Sequence, residues 1–196
     1  MVEAYTLKAL RVNLSKRKAV VQPVNERFAI EFIGGRGWGA KILYDEFDGP
    51  IHAFSPENLL IVAGGPLTGL TVPCSGKTAF VSISPLTGLY GDSNVGGSLA
   101  VELKKNGFDV LIVEGAAEKP TLLVIEEGEV AFEDASHLWG TPSLEAEKAL
   151  KEDFGREAQT AVIGPAGENL VKFASINCDF GRQAARCGLG AVMGSK

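Results

Sequence analysis

An ordered internal repeat constrains this chain more than any other feature. Leu59-Leu60-Ile61-Val62-Ala63 is an apolar run of strand length that ends in Gly64-Gly65-Pro66-Leu67-Thr68-Gly69, and Thr160-Ala161-Val162-Ile163 ends in Gly164-Pro165-Ala166-Gly167. Tyr44-Asp45-Glu46-Phe47 has a counterpart in Lys151-Glu152-Asp153-Phe154, and Phe80-Val81-Ser82-Ile83 in Phe173-Ala174-Ser175-Ile176. Asn94-Val95-Gly96-Gly97 then falls opposite Arg186-Cys187-Gly188-Leu189. The matches keep their order while the offset between the halves shrinks, as loops of different length require. The pattern predicts a duplication of hairpin, helix, strand, loop, strand, loop. Fused repeats tend to pack about an approximate two-fold axis, by the self-complementary logic of symmetric dimers.

Alternation and turn residues place the elements. Residues 9–14 alternate as a strand, Ser15-Lys16-Arg17-Lys18 turns, and residues 19–24 return, which predicts a hairpin. Asn25-Glu26 can cap the apolar stretch after them, and residues 40–47 read as a short amphipathic helix. Residues 78–83 and 110–113 read as strands, with a helix over 98–105 stopped by Asn106-Gly107. In the second half, residues 121–126 and 129–132 around Glu127-Gly128 predict another hairpin, and Ser143 can cap a helix from about Leu144 to Phe154.

Composition bounds the rest. The chain has 196 residues, enough for one substantial domain, and its 45% hydrophobic content supports a packed core. A formal net charge of -5 argues against a nucleic-acid surface. No apolar run reaches membrane-spanning length and no signal peptide is visible, so a cytoplasmic location is expected. Cys74, Cys178 and Cys187 have no CxxC spacing and offer neither a disulfide framework nor a cluster motif. His52 and His137 stand alone, and the pairs Asp45-Glu46 and Glu152-Asp153 read as solvated helix faces.

Two segments carry the chemistry. In Gly181-Arg182-Gln183-Ala184-Ala185-Arg186-Cys187-Gly188, two arginines stand four residues apart among small residues. Arginine meets phosphate with a planar fork of donors, and small residues let a backbone approach a ligand. Gly91-Asp92-Ser93-Asn94-Val95-Gly96-Gly97 reads as a partner loop, which the duplication would bring to the same axis. An i, i+4 arginine pair on a helix surface and a plain turn at Asn94 are the simpler alternatives. Gly34-Gly35-Arg36-Gly37-Trp38-Gly39 lacks the spacing of a dinucleotide fingerprint.

The segments 64–69, 84–88, 134–140, 163–170 and 190–196 together resemble the N-terminal domain of the aldehyde ferredoxin oxidoreductase family, over essentially the whole chain. The resemblance implies an α+β fold of two β-sheets with a few helices and an internal pseudo-two-fold, a single domain over 1–196 made of repeats at about 5–105 and 118–196. It implies a bis-pterin cofactor of tungsten (or molybdenum), whose own near-symmetry would match the repeat. The matching cofactor contacts are Lys77, Asn94, Gly96, Arg182, Gln183, Ala185 and Arg186. A magnesium ion bridging the two pterin phosphates would take backbone carbonyls at Asn94 and Gln183, in keeping with its preference for hard oxygens. The family's four-iron cluster and its proton-handling residues belong to later domains. The resemblance further implies an aldehyde substrate oxidised to a carboxylic acid, ferredoxin as electron acceptor, the C-terminal domains of the same protein as partners, and room for a homodimer, with no nucleic acid and no membrane.

Departures from the family pattern are local. Relatives usually carry Arg where Lys77 stands, and lysine keeps the charge but gives up the two-pronged fork. Relatives often have Gly or Ala at the positions of Gln183, Ala185 and Cys187. The competing readings are a stand-alone pterin carrier and an assembly domain with vestigial loops; a downstream region with spaced cysteines would favour the enzyme. The isolated domain is expected to be inactive and to hold no iron–sulfur cluster.

Overall fold

Strand alternation in the first half serves two cores at once. The computed structural model describes residues 2–196. Its strands β1 (Lys8–Asn13) and β2 (Lys18–Pro23) form the expected hairpin. Two helices follow, α1 (Glu26–Phe32) and α2 (Arg36–Glu46). Asn25 caps α1 by accepting from the amides of Arg27 and Phe28. Strands β3 (Leu60–Ala63), β4 (Thr78–Ile83) and β5 (Tyr90–Val95), helix α3 (Leu99–Lys105) and strand β6 (Val110–Glu114) complete the half. They build one six-stranded sheet in the order β2-β1-β6-β3-β4-β5, with β1 and β6 parallel and the neighbours of β3 antiparallel to it.

One face of this sheet presents Ala9, Ile61, Ala63, Ala79, Val81, Val110 and Ile112 to Trp38, Leu43 and Ala29 of the two helices. The other face presents Leu10, Val12, Leu60, Val62, Phe80, Val95 and Val113 to Ile176, Cys178, Ala184, Leu189 and Val192 of the second half. Continuous apolar runs such as 59–63 are what a strand covered on both faces needs. The close fit on the helical face leaves no room at Gly39, where a Cβ would come within 2.7 Å of the Val81 Cβ.

The second half consists of β7 (Thr121–Glu126) and β8 (Glu129–Asp134), α4 (Ser143–Phe154), β9 (Ala161–Val162), α5 (Pro165–Glu168), β10 (Ile176–Cys178), β11 (Arg182–Ala184) and α6 (Leu189–Gly194), with short 3-10 turns at Val2–Ala4 and Ser136–Leu138 elsewhere in the chain. Both halves run from a hairpin through helix to an antiparallel three-strand meander and a further helix, but the first has two helices after its hairpin and the second has α5 between β9 and β10.

The α+β class stands, but the described residues form three sheets rather than two. In the first half β6 lies between hairpin and meander and joins them. No described strand occupies that position between β7 and β9, so the second hairpin and the second meander remain separate sheets.

Four local expectations also change. Residues 91–97 and 181–188 are not simply loops, because β5 and β11 are strands. Tyr-Gly-Asp-Ser-Asn-Val has weak strand propensity, and pairing with β4 imposes its conformation. Phe173 does not repeat Phe80: it precedes β10 and is 72% exposed, whereas Phe80 is 1% exposed. Helix α2 begins at Arg36, so the 34–39 glycines include its first turn, and Pro142 rather than Ser143 holds the cap position of α4.

Candidate functional site: the junction of β5 and β11

β5 has a period-two burial pattern. Gly91, Ser93 and Val95 face inward and Asp92 and Asn94 outward, and in β11 Arg182 and Gln183 are exposed while Ala184 is buried. The two strands are locked by bonds across the halves. The Arg186 amide donates to Ser93 Oγ at 3.2 Å, the Ser84 hydroxyl donates to the Cys187 carbonyl at 2.8 Å, and the Cys187 thiol points at the Asp92 carbonyl at 3.6 Å. At Gly91 a Cβ would stand 2.7 Å from the Cys187 Cβ, so glycine is what lets the halves close here.

The cations gather at Gly96. A Cβ built there would lie 3.1 Å from Arg182 Nη1 and 3.8 Å from Lys77 Nζ. Lys77, Arg182 and Arg186 are all exposed. Among the described residues none of the three forms an ion pair, although Arg36 approaches Asp92 at 3.9 Å nearby. Two unpaired cations beside a residue without a side chain suit an anion such as phosphate, which both cation types bind by charge-assisted hydrogen bonds.

The other predicted site residues divide. The Asn94 amide donates to Asp92 Oδ2 at 2.9 Å, so its side chain is engaged within its own strand. Gln183 turns its side chain to Ser175, whose hydroxyl donates at 2.6 Å, and to Asn177. Neither side chain is free. Ala185 is exposed and follows β11 directly, with a methyl group that leaves the strand end open. Tyr90, at the start of β5, has its phenol pushed up to about 12 by burial and then by Asp92, with Arg36 acting in the opposite sense, so it remains a protonated donor at neutral pH.

Sequence reasoning missed the turn that precedes Arg182. Asp179 and Phe180 both have left-handed backbones, φ 46° and 53°, and Gly181 follows at 96°. Asp179 Oδ2 accepts from the Ser98 amide at 2.9 Å, at the start of α3 in the other half. Its Oδ1 is buried with no partner among the described residues. The signal was the run Asn177-Cys178-Asp179-Phe180-Gly181, whose Asp and Gly favour such a turn.

Residues 9–196 match the family model described as aldehyde ferredoxin oxidoreductase, N-terminal domain. The chain belongs to this family. It is 46% identical over 188 residues to the tungsten-containing aldehyde ferredoxin oxidoreductase of Pyrococcus furiosus, covering 95% of this chain and 31% of that protein. The corresponding protein of Pyrococcus abyssi is 47% identical over 193 residues, covering 98% and 32%. An aliphatic sulfonate oxidoreductase WOR-like subunit from Pyrococcus furiosus is 35% identical over 209 residues, covering 98% and 33%. The solved active-site complex BamBC of benzoyl coenzyme A reductase, in complex with 1,5-dienoyl-CoA, superposes with a TM-score of 0.95 at 39% identity, over 98% of this chain and 30% of that one. The chain therefore corresponds to an enzyme-family domain and spans about a third of the length of these relatives. No described helix is long and apolar enough to cross a membrane.

Proposed function

We propose that this domain supplies part of the binding site for a bis-pterin tungsten cofactor in a longer cytoplasmic oxidoreductase, one that oxidises aldehydes to carboxylic acids and passes the electrons to ferredoxin. The observation that carries this reading is the cluster at Gly96, where Arg182 and Lys77 converge at the seam of the two halves with no ion-pair partner among the described residues. Its residues fit a phosphate-bearing group. Arg182 and Arg186 would bind pterin phosphate, Lys77 would add a third charge, and Gly96 would let the main chain approach. Ala185 would keep the strand end clear. A charge-assisted hydrogen bond of this kind contributes about 1.5–3 kcal/mol. The carbonyls of Asn94 and Gln183 would serve a magnesium ion shared by the phosphates, since their side chains are already engaged.

When bound, tungsten supplies the two-electron chemistry of aldehyde oxidation, while the residues of this chain hold and orient the cofactor. A four-iron cluster would be carried by chain beyond this domain. The parallel element order of the halves supports duplicated units at about 5–105 and 118–196, with the site at their seam.

The test is Arg182→Ala in the full-length protein, purified anaerobically. Arg182 is exposed, so the fold should survive, as read by far-UV circular dichroism, while tungsten and pterin per protein fall several-fold and the melting temperature drops only by the stabilisation that the bound cofactor supplies. A variant with full tungsten and pterin content and undiminished aldehyde oxidation would remove Arg182 from the site.

A further inference from the structure

We propose that Glu147, on α4 and outside the candidate site, is the positioning residue for the Arg182 turn. The inference rests on the cofactor-binding reading above and extends it to a residue that touches no ligand.

Glu147 has no exposed surface, and no described cation lies within ion-pair distance of it. A buried carboxylate is expensive unless it is hydrogen-bonded. Both of its bonds go to one short segment: Asn177 Nδ2 donates to Oε2 at 2.7 Å, and the Phe180 amide donates to Oε1 at 2.7 Å. The α4 face already packs through Ala146 and Leu150, so apolar burial does not require an acid here. One turn along the helix, the Lys151 ammonium lies 4.5 Å from the Phe180 ring centroid. Helix α4 thus grips the turn from two sides.

The turn needs such a grip. Two consecutive non-glycine residues in the left-handed region, Asp179 and Phe180, are strained and persist only when their surroundings over-determine them. What the strain achieves is placement. Arg182 is the second residue after Phe180, and Asp179, held between Asn177 and Phe180, reaches across to the Ser98 amide beside Gly96 and Gly97. Asn177 has its NH2 committed to Glu147 and its carbonyl oxygen to the Gln183 amide, which fixes the β11 register opposite it. One carboxylate therefore sets both the turn that aims Arg182 and the strand that carries Gln183.

The experiment uses the full-length holoenzyme and measures the rate at which pterin is released on incubation, alongside the melting temperature. Glu147→Gln keeps the shape and removes the second acceptor oxygen, and release should accelerate about tenfold, the effect of one lost charge-assisted bond. In the double variant with Arg182→Ala, release should be no faster than in Arg182→Ala alone, because Glu147 acts through that arginine. Rates that multiply in the double variant, or wild-type release in Glu147→Gln while Arg182→Ala is fast, overturn the proposal and leave the binding site intact. Wild-type release in Arg182→Ala instead removes the binding reading, and the positioning role with it. Should Glu147→Gln fail to fold, Asn177→Ala carries the same two expectations.

Discussion

The two strands that meet at the candidate site are held in opposite ways. β5 closes the edge of a six-stranded sheet and pairs with β4 along its whole length, from Thr78↔Val95 to Ile83↔Tyr90. β11 has only Arg182–Ala184 in register with β10 on a three-stranded sheet, and its geometry comes from side chains, through Glu147, Asn177, Gln183 and Ser175. A long ladder positions Asn94 and Gly96 by main-chain bonding, so its sequence is free to be polar and small. A short ladder cannot do that, and a polar network anchored on buried Glu147 and Asn177 takes over, reaching out to exposed Gln183.

The largest expected effect tests whether the halves contribute equally to the core. Phe80 sits on β4 at 1% exposure, in the cluster that both halves share, and Phe173 is 72% exposed. Phe80→Ala should destabilise by about 3–5 kcal/mol, and Phe173→Ala by less than about 0.5 kcal/mol, read from denaturant midpoints. Similar losses would mean that the second half packs Phe173 as the sequence repeat suggested.

A smaller effect sharpens the contrast at the cluster. Gly96→Ala puts a methyl 3.1 Å from Arg182 Nη1, the far end of a flexible side chain, so the guanidinium can move aside. Stability should change by no more than about 1 kcal/mol, while pterin content of the full-length protein should fall. An alanine variant with full pterin content would show that the β5 side of the cluster does not approach the ligand.

Much of the first half could be read directly from the sequence. Runs such as 59–63, 78–83 and 110–113 have strand length and strand composition, and they are strands because both faces of the sheet are covered. β5 and β11 could not be read in this way, since polar and glycine-rich segments become strands only when a neighbour dictates it. Phe173 misled because an apolar match in order does not report which residue enters the core. Lys77, Gly96 and Arg182 lie close together; the meeting of the Gly96 and Arg182 segments was expected from the repeat, while Lys77 entered only through the family resemblance. Glu147 was hidden among the acids of α4. Its clue was position: Ala146-Glu147 and Leu150-Lys151 stand four apart, so the charged pair borders the buried stripe. Asp45, Glu152 and Asp153 are exposed, with Asp45 and Glu152 paired only to Lys41 and Lys148 on their own helices, whereas Glu46 is tied across to Arg11 at 2.5 Å.

The smallest perturbation asks whether the second half can open by itself. Cys178 lies on β10 with no exposed surface, its thiol pushed up to about 12 by burial first and by Asp179 and Glu147 next. Only a thiolate reacts, so at pH 8 the folded protein should alkylate at exposed Cys74 and leave Cys178 untouched. Labelling of Cys178 then reports opening of the β10 sheet. That sheet is small, which by itself would favour local opening. Against this, Ile176, Cys178 and Ala184 belong to the same buried cluster as Leu60, Val62 and Phe80 of the large sheet, so exposing one set uncovers the other. The shared core should dominate, and the free energy of Cys178 labelling should equal that of global unfolding from denaturant titration. If Cys178 is instead labelled through an opening cheaper than global unfolding by more than about 1.4 kcal/mol, a tenfold difference in population, the polar network around Glu147 is a separable unit and the two halves are stabilised independently.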